Sequence, residues 1–139
     1  MSSLAKREAQ ERHDAERGSA HERGYDARWA KASKEHGQRE PLCQYSKLDG
    51  VVAARELTDH LYPHCGNREL FWMRDYWVSS TKAMHDGFKA RIESDGIEAI
   101  DQLAIRLGKQ PLREVRPELA DHVARHLSAR ARRGGGSDL

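Results

Sequence analysis

The sequence predicts an α+β chain with a short hairpin and one helix at its centre and further helices on its N- and C-terminal sides. Three observations carry this. A β-branched run over residues 51–58 and an aromatic segment over 76–78 are separated by residues 61–67, whose Pro63 and Gly66 exclude a helix. Ser79 and Ser80 offer N-cap oxygens to a helix over residues 81–93, stopped by Ser94-Asp-Gly96. Apolar residues recur at helical spacing on both sides of that unit.

Residues 1–24 carry one sizeable aliphatic side chain besides Met1, namely Leu4, among alternating charges. Pairs such as Glu8 and Arg12 support a helix, yet nothing forms a stripe to bury, so this segment is expected to be a solvated helix or a charged arm broken at Gly18 and Gly24. Tyr25, Trp29 and Ala32 share one helical face over 25–36, which Gly37 is expected to end. Residues 41–50 read as a knuckle-like loop closing on Asp49-Gly50, and residues 51–58 as the strand leading into Asp59-His60. Ile97, Ile100, Leu103, Ala104 and Leu107 make a second amphipathic helix. Pro117 opens a third, striped by Leu119, Val123 and Leu127. The expected division is therefore an arm over 1–24, a core domain over 25–93, a helical extension over 94–133 and a flexible tail over 134–139.

A chain of 139 residues holds one domain with a modest core, because hydrophobic residues reach only 37% against 33% charged. The net charge of +2 is too mild to announce a nucleic-acid binder by itself, but it is uneven. Residues 109–133 hold seven Lys or Arg against three Asp or Glu, ending in Arg130, Arg132 and Arg133. Cys43 and Cys65 are too few for a disulfide framework, which fits a reducing cytosol. The first residues lack the apolar stretch of a signal peptide and no run is long enough to span a bilayer, so a soluble cytoplasmic protein with no membrane partner is expected.

The chemistry concentrates on Asp59, His60 and His85. Metal-assisted phosphodiester hydrolysis needs a base for water, a divalent cation to stabilise the leaving oxyanion, and ligands that leave positions open. His60 suits the base, while Asp59 and His85 suit the metal, and their types leave its identity open among Mg²⁺, Mn²⁺, Zn²⁺ and Ni²⁺. Adjacent residues on a strand point to opposite sides, so Asp59 and His60 can take different roles. His64 is expected to orient the loop or a ligand by a hydrogen bond. Phe71, Trp72 and Trp77 read as core, and His122 with His126 as a solvated helix face.

In order, Leu57-Thr-Asp-His-Leu-Tyr-Pro-His64, Gly66-Asn-Arg-Glu-Leu-Phe-Trp72, Tyr76-Trp77 and Lys82-Ala-Met-His-Asp-Gly-Phe-Lys89 resemble the small phage and bacterial HNH endonucleases, whose core is a ββα-metal finger. With the lead-in Arg23-Gly-Tyr-Asp-Ala-Arg-Trp29 and Glu40-Pro-Leu-Cys43, the resemblance covers residues 23–93. It implies metal ligation by Asp59 and His85, activation of water by His60, and cleavage of double-stranded DNA to leave a 5′-phosphate. Lys82 and Lys89, with Arg130, Arg132 and Arg133, are the expected phosphate contacts, and the host cytoplasm is the expected setting if the chain is phage-encoded.

The chain departs from that family at two places. The four positions of the family's structural zinc read Cys43, Ser46, Thr81 and Met84, so no structural zinc is expected, and packing by Leu42, Tyr45 and Met84 is expected in its stead. The middle Asn falls at Tyr76, unless Asn67 supplies it. These departures motivate a rival expectation: a catalytically lapsed scaffold that binds nucleic acid, a host-defence protein complex or a phage packaging protein.

Overall fold

A computed structural model of the chain describes residues 3–8 and 19–134, in two compact units, Met1–Lys34 and Glu35–Leu139. The arm expected over 1–24 lies in part, at residues 1–2 and 9–18, outside the described residues, as does the tail beyond Gly134. No described helix is long and apolar enough to cross a membrane.

In the first unit residues 3–8 are helical, and Ser19 and Glu22 exchange backbone-to-side-chain hydrogen bonds in a turn that ends at Gly24, where φ is +102°. Asp26 then caps helix α1, Ala27–Arg39, by accepting from the Trp29 N–H at 3.1 Å. Tyr25 and Trp29 meet edge to face at 6.0 Å, the pairing their spacing predicts.

Gly37 does not end α1; the helix continues to Arg39. A Cβ at Gly37 would meet the guanidinium of Arg55, the far end of a flexible side chain, so the glycine lets Arg55 lie close against the helix rather than making a turn. The expected loop after Pro41 is a helix, α2, Gln44–Leu48, capped by the Cys43 sulfur and left through Gly50 with φ +74°.

The strand is shorter and later than its sequence suggests. β1 is Leu57–His60: Val51 and Val52 stand exposed, residues 53–55 bond back to residues 41–43 through the Leu42–Ala54 bridge, and Glu56 N donates to the Ser80 carbonyl as the hairpin begins. β2, Trp77–Ser80, runs antiparallel to it with Asp59 opposite Val78 and His60 opposite Trp77. Between them, Asn67 caps a short helix α3, Arg68–Phe71, and a 3-10 turn spans Arg74–Tyr76.

Helix α4 follows in three continuous pieces: Lys82–Met84, a π turn at His85–Lys89, and Ala90–Ser94. Thr81, rather than Ser79 or Ser80, caps it, since both serines are buried in β2 and Thr81 Oγ1 accepts from Met84 N. Then come α5, Ile97–Arg106, a short α6, Leu112–Val115, and α7, Pro117–Gly134. Ile97, Ile100, Leu103, Leu119, Val123 and Leu127 join Leu61, Leu70, Tyr76 and Val78 in one buried cluster, so the C-terminal helices share the hairpin's core. At roughly 1.5–3 kcal/mol for each large aliphatic group removed from water, this cluster is what holds the hairpin in place. Two tyrosines fasten the join: Tyr62 Oη donates to Asp101 and accepts from Leu112 N, and Tyr76 Oη donates to the Gln110 carbonyl.

Candidate functional site

β1 and α4 meet at Asp59. Its side chain is 6% exposed, and its two oxygens have different partners. Oδ2 accepts from Tyr45 Oη at 2.6 Å and faces Lys89 Nζ at 3.1 Å, whereas Oδ1 lies 3.5 Å from His85 Nε2. The π turn is what brings both helix residues onto one carboxylate: its wider winding carries His85 to one oxygen and Lys89 to the other.

His85 is half-exposed, and its Nδ1 is 3.0 Å from Asp86 Oδ1. A carboxylate only accepts, so Asp86 can take the Nδ1–H, and an imidazole held that way would turn its Nε2 lone pair to an ion placed between it and Asp59. Asp86 also pairs with the exposed Lys82, an i,i+4 partner.

Lys89 is 1% exposed and therefore cannot reach a phosphate, contrary to expectation; its ammonium is bound inside. It donates to the His60 carbonyl at 3.0 Å and to Glu93 Oε2 at 2.7 Å, besides facing Asp59. Burial alone would push its pKa down, but Asp59 and Glu93 outweigh burial and hold it above the ordinary value, so it stays charged. Glu93 in turn receives Arg130 from α7 at 3.1 Å. A chain of alternating charge thus runs Asp59, Lys89, Glu93, Arg130. Arg132 and Arg133 stand exposed beyond it.

His60 points to the other side of the strand, as alternation requires. It is 7% exposed, with Nε2 at 3.0 Å from the Phe71 carbonyl and its ring 4.5 Å from Phe71 and 5.1 Å from His64. Burial first, then the His64 and Lys89 charges, lower its pKa to about 3, against a raising contribution from the Phe71 bond. It is a neutral imidazole at ordinary pH, with the proton on Nε2 and the basic lone pair on Nδ1.

The remaining expected residues act locally. His64 Nδ1 accepts from Gly66 N and shapes the loop, next to Cys65 with φ +50°. Asn67 Oδ1 accepts from Leu70 N as the α3 cap, and Tyr76 is buried with its hydroxyl on Gln110, so neither offers an amide beside Asp59. His122 is not on a solvated face: its Nε2 is 3.1 Å from the Cys65 carbonyl, and it docks α7 on the loop.

Cys43, Ser46, Thr81 and Met84 draw together through polar bonds, and the expected packing stands beside them: Tyr45 is in the buried cluster and Met84 packs against it. The Cys43 sulfur accepts from Ser46 N at 3.4 Å, Ser46 Oγ at 3.2 Å and Thr81 N at 3.3 Å. Burial raises the thiol's pKa, and these donors outweigh it and leave it lowered. Tyr45 packs as expected and also gives its hydroxyl to Asp59, and burial first, then the Asp59 charge, hold its pKa well above normal.

The geometry fits a divalent ion held on two side chains. Ligands about 2.1 Å from an ion stand about 3.0 Å apart as octahedral neighbours and about 3.4 Å apart in a tetrahedron, close to the Asp59–His85 spacing. Among the described residues no group of three or more His, Cys, Asp or Glu is placed to hold a metal, so water and substrate oxygen would complete the shell. Asp86 and Glu93 escaped the sequence reading, which gave Tyr45 and Lys89 other roles. The spacings of four in Lys82–Asp86 and Lys89–Glu93 were the signal that could have found them. Comparisons with protein-family models, curated proteins and solved structures find no match to the chain.

Proposed function

We propose that the chain is a metal-dependent endonuclease of the HNH type, with β1, β2 and α4 as its ββα-metal core, acting on the phosphodiester backbone of double-stranded DNA. The observation that carries this reading is the oriented pair Asp59 Oδ1 and His85 Nε2, 3.5 Å apart, each with its other heteroatom tied to a supporting group. Bound there, Mg²⁺, Mn²⁺ or a similar ion supplies Lewis-acid stabilisation of the leaving oxyanion.

The chain's own groups do the rest. Asp59 and His85 would hold the ion, with Oδ1 and Nε2 the atoms turned to the space between them. The Phe71 carbonyl selects the His60 tautomer whose Nδ1 accepts the proton of the attacking water. His60 is a weak base in the free protein because it is buried, and the negative charge of a bound phosphodiester would raise its proton affinity. Arg130 at the edge of the site, with Arg132 and Arg133 further along α7 and Lys82 on α4, supplies sequence-independent backbone contacts.

Nicking of supercoiled plasmid in Mg²⁺ or Mn²⁺ tests this. His60→Ala is expected to lower the rate by about 10²–10⁴-fold, the usual worth of a general base, with the fold retained. Full activity in that variant would remove His60 from the mechanism.

The rival reading is a lapsed scaffold that binds DNA or a protein of host defence or phage packaging. The burial of His60 and the spent hydroxyl of Tyr76 favour it. Wild-type protein that binds duplex DNA yet cuts none across a broad metal series decides for the rival.

A further inference from the structure

We propose that Lys89 balances the charge of the candidate metal site so that a divalent cation settles there together with the phosphodiester, and only weakly alone. This rests on the endonuclease reading and adds to it a coupling between metal and DNA binding.

The inner carboxylates of the site each face a cation: Asp59 faces Lys89 at 3.1 Å, and Glu93 is shared by Lys89 and Arg130. Asp86 pairs with Lys82 in solvent, where the Lys82 backbone N–H also donates to Glu56 and water screens all three charges. On the inner side two carboxylates thus meet two positive side chains, and His85 would coordinate as a neutral ligand. An ion entering between Asp59 Oδ1 and His85 Nε2 brings two positive charges to a site with no net negative charge to receive them. A phosphodiester brings the missing charge.

Lys89 cannot withdraw to make room. An ammonium has three N–H donors, and Lys89 has three acceptors: the His60 carbonyl, Asp59 Oδ2 and Glu93 Oε2. The residue is 1% exposed, at a π turn that fixes its register on Asp59. It therefore holds Asp59 to a single-oxygen ligand and repels the ion at the same time. Substrate-dependent metal uptake follows, and by linkage metal must raise DNA affinity by the same factor.

The test has two parts. Calorimetric titration with Mn²⁺ alone is expected to give weak binding to wild type, binding tighter by about tenfold or more to Lys89→Met, and wild-type behaviour in Lys89→Arg, which keeps the charge. Circular dichroism checks that both variants fold. Independently of any Lys89 variant, the affinity of wild type for a labelled duplex, read by fluorescence anisotropy at fixed ionic strength, should rise roughly 5- to 150-fold on adding Mn²⁺. Asp59→Asn measures the part of that rise that comes from Mn²⁺ on the DNA itself, and should show little more than it.

Mn²⁺ binding that needs Asp59 but is equally tight with and without duplex, or no tighter in a folded Lys89→Met, overturns the coupling and leaves the metal site standing. Mn²⁺ binding indifferent to Asp59→Asn and His85→Ala overturns the metal site itself, and the proposed function with it.

Discussion

His60 and Trp77, cross-strand partners in the hairpin, donate to one acceptor: His60 Nε2 lies 3.0 Å and Trp77 Nε1 2.9 Å from the Phe71 carbonyl oxygen. The indole N–H only donates, so this carbonyl keeps a partner whatever His60 does. That arrangement fixes the imidazole's orientation while sparing the backbone from dependence on it.

The buried His60 makes stability depend on pH. Its folded pKa is lowered to about 3, while the unfolded value is about 6.5. Between these, the unfolded chain binds a proton that the folded chain refuses. Stability is therefore full above about pH 6.5 and falls as pH drops, by up to about 1.4 kcal/mol per unit, until near pH 3. His36, lowered chiefly by burial, adds in the same direction. Urea midpoints measured from pH 7 to pH 4 should fall less steeply in His60→Gln than in wild type, and identical slopes would exclude His60 as the source.

Removing one support from Asp59 should cost less than removing the charge beside it. Tyr45→Phe deletes the hydroxyl on Oδ2 and leaves Lys89 in place, so a loss of about 1–3 kcal/mol is expected in chemical denaturation. Lys89→Met leaves a buried carboxylate without its cation, for which about 3–5 kcal/mol is expected. Because both act on one oxygen, the double variant should depart from the sum of the singles, and strict additivity would deny that they share it.

The C-terminal arginines should be visible in the salt dependence of DNA binding. Replacing Arg130, Arg132 and Arg133 with Ala is expected to reduce the slope of log affinity against log salt by about 0.9 for each arginine that touches a phosphate. Arg130 has the smaller effect if its guanidinium stays with Glu93. An unchanged slope in the triple variant would move the DNA to another face.

The long periodic pieces were legible in the sequence: α5 and α7 follow their stripes, and Tyr25 with Trp29 marks α1. What periodicity misses are short elements whose cause is a cap or a distant partner. α2 exists because a sulfur caps it, and α3 because Asn67 does. Asp59 and His85 could be paired from their residue types alone. Lys89 read as a surface cation because a lysine is almost never fully buried unless paired, and its pairing with Asp59 spans 30 positions. Tyr45, 14 positions from Asp59, carried no local sign of its role.

The sulfur-centred knot supplies the last prediction. Ser46 Oγ lies 3.2 Å and Thr81 N 3.3 Å from Cys43 Sγ, and Thr81 caps the helix turn that carries Met84. Thiolates bound to one zinc at about 2.3 Å stand slightly under 4 Å apart, comparable to the reach of the contacts already made at Cys43 Sγ. Cys43 already lies in donors that favour its thiolate over its burial. The triple substitution Ser46→Cys, Thr81→Cys, Met84→Cys should therefore create a four-thiolate site that takes up one zinc per chain and raises the melting temperature when loaded. Zinc content by mass spectrometry and thermal melts with and without chelator check this. A folded triple variant that takes up no zinc would mean that α2 and the start of α4 are set too far apart for a metal to bridge, leaving the hydrogen-bonded sulfur as the only join this spacing allows.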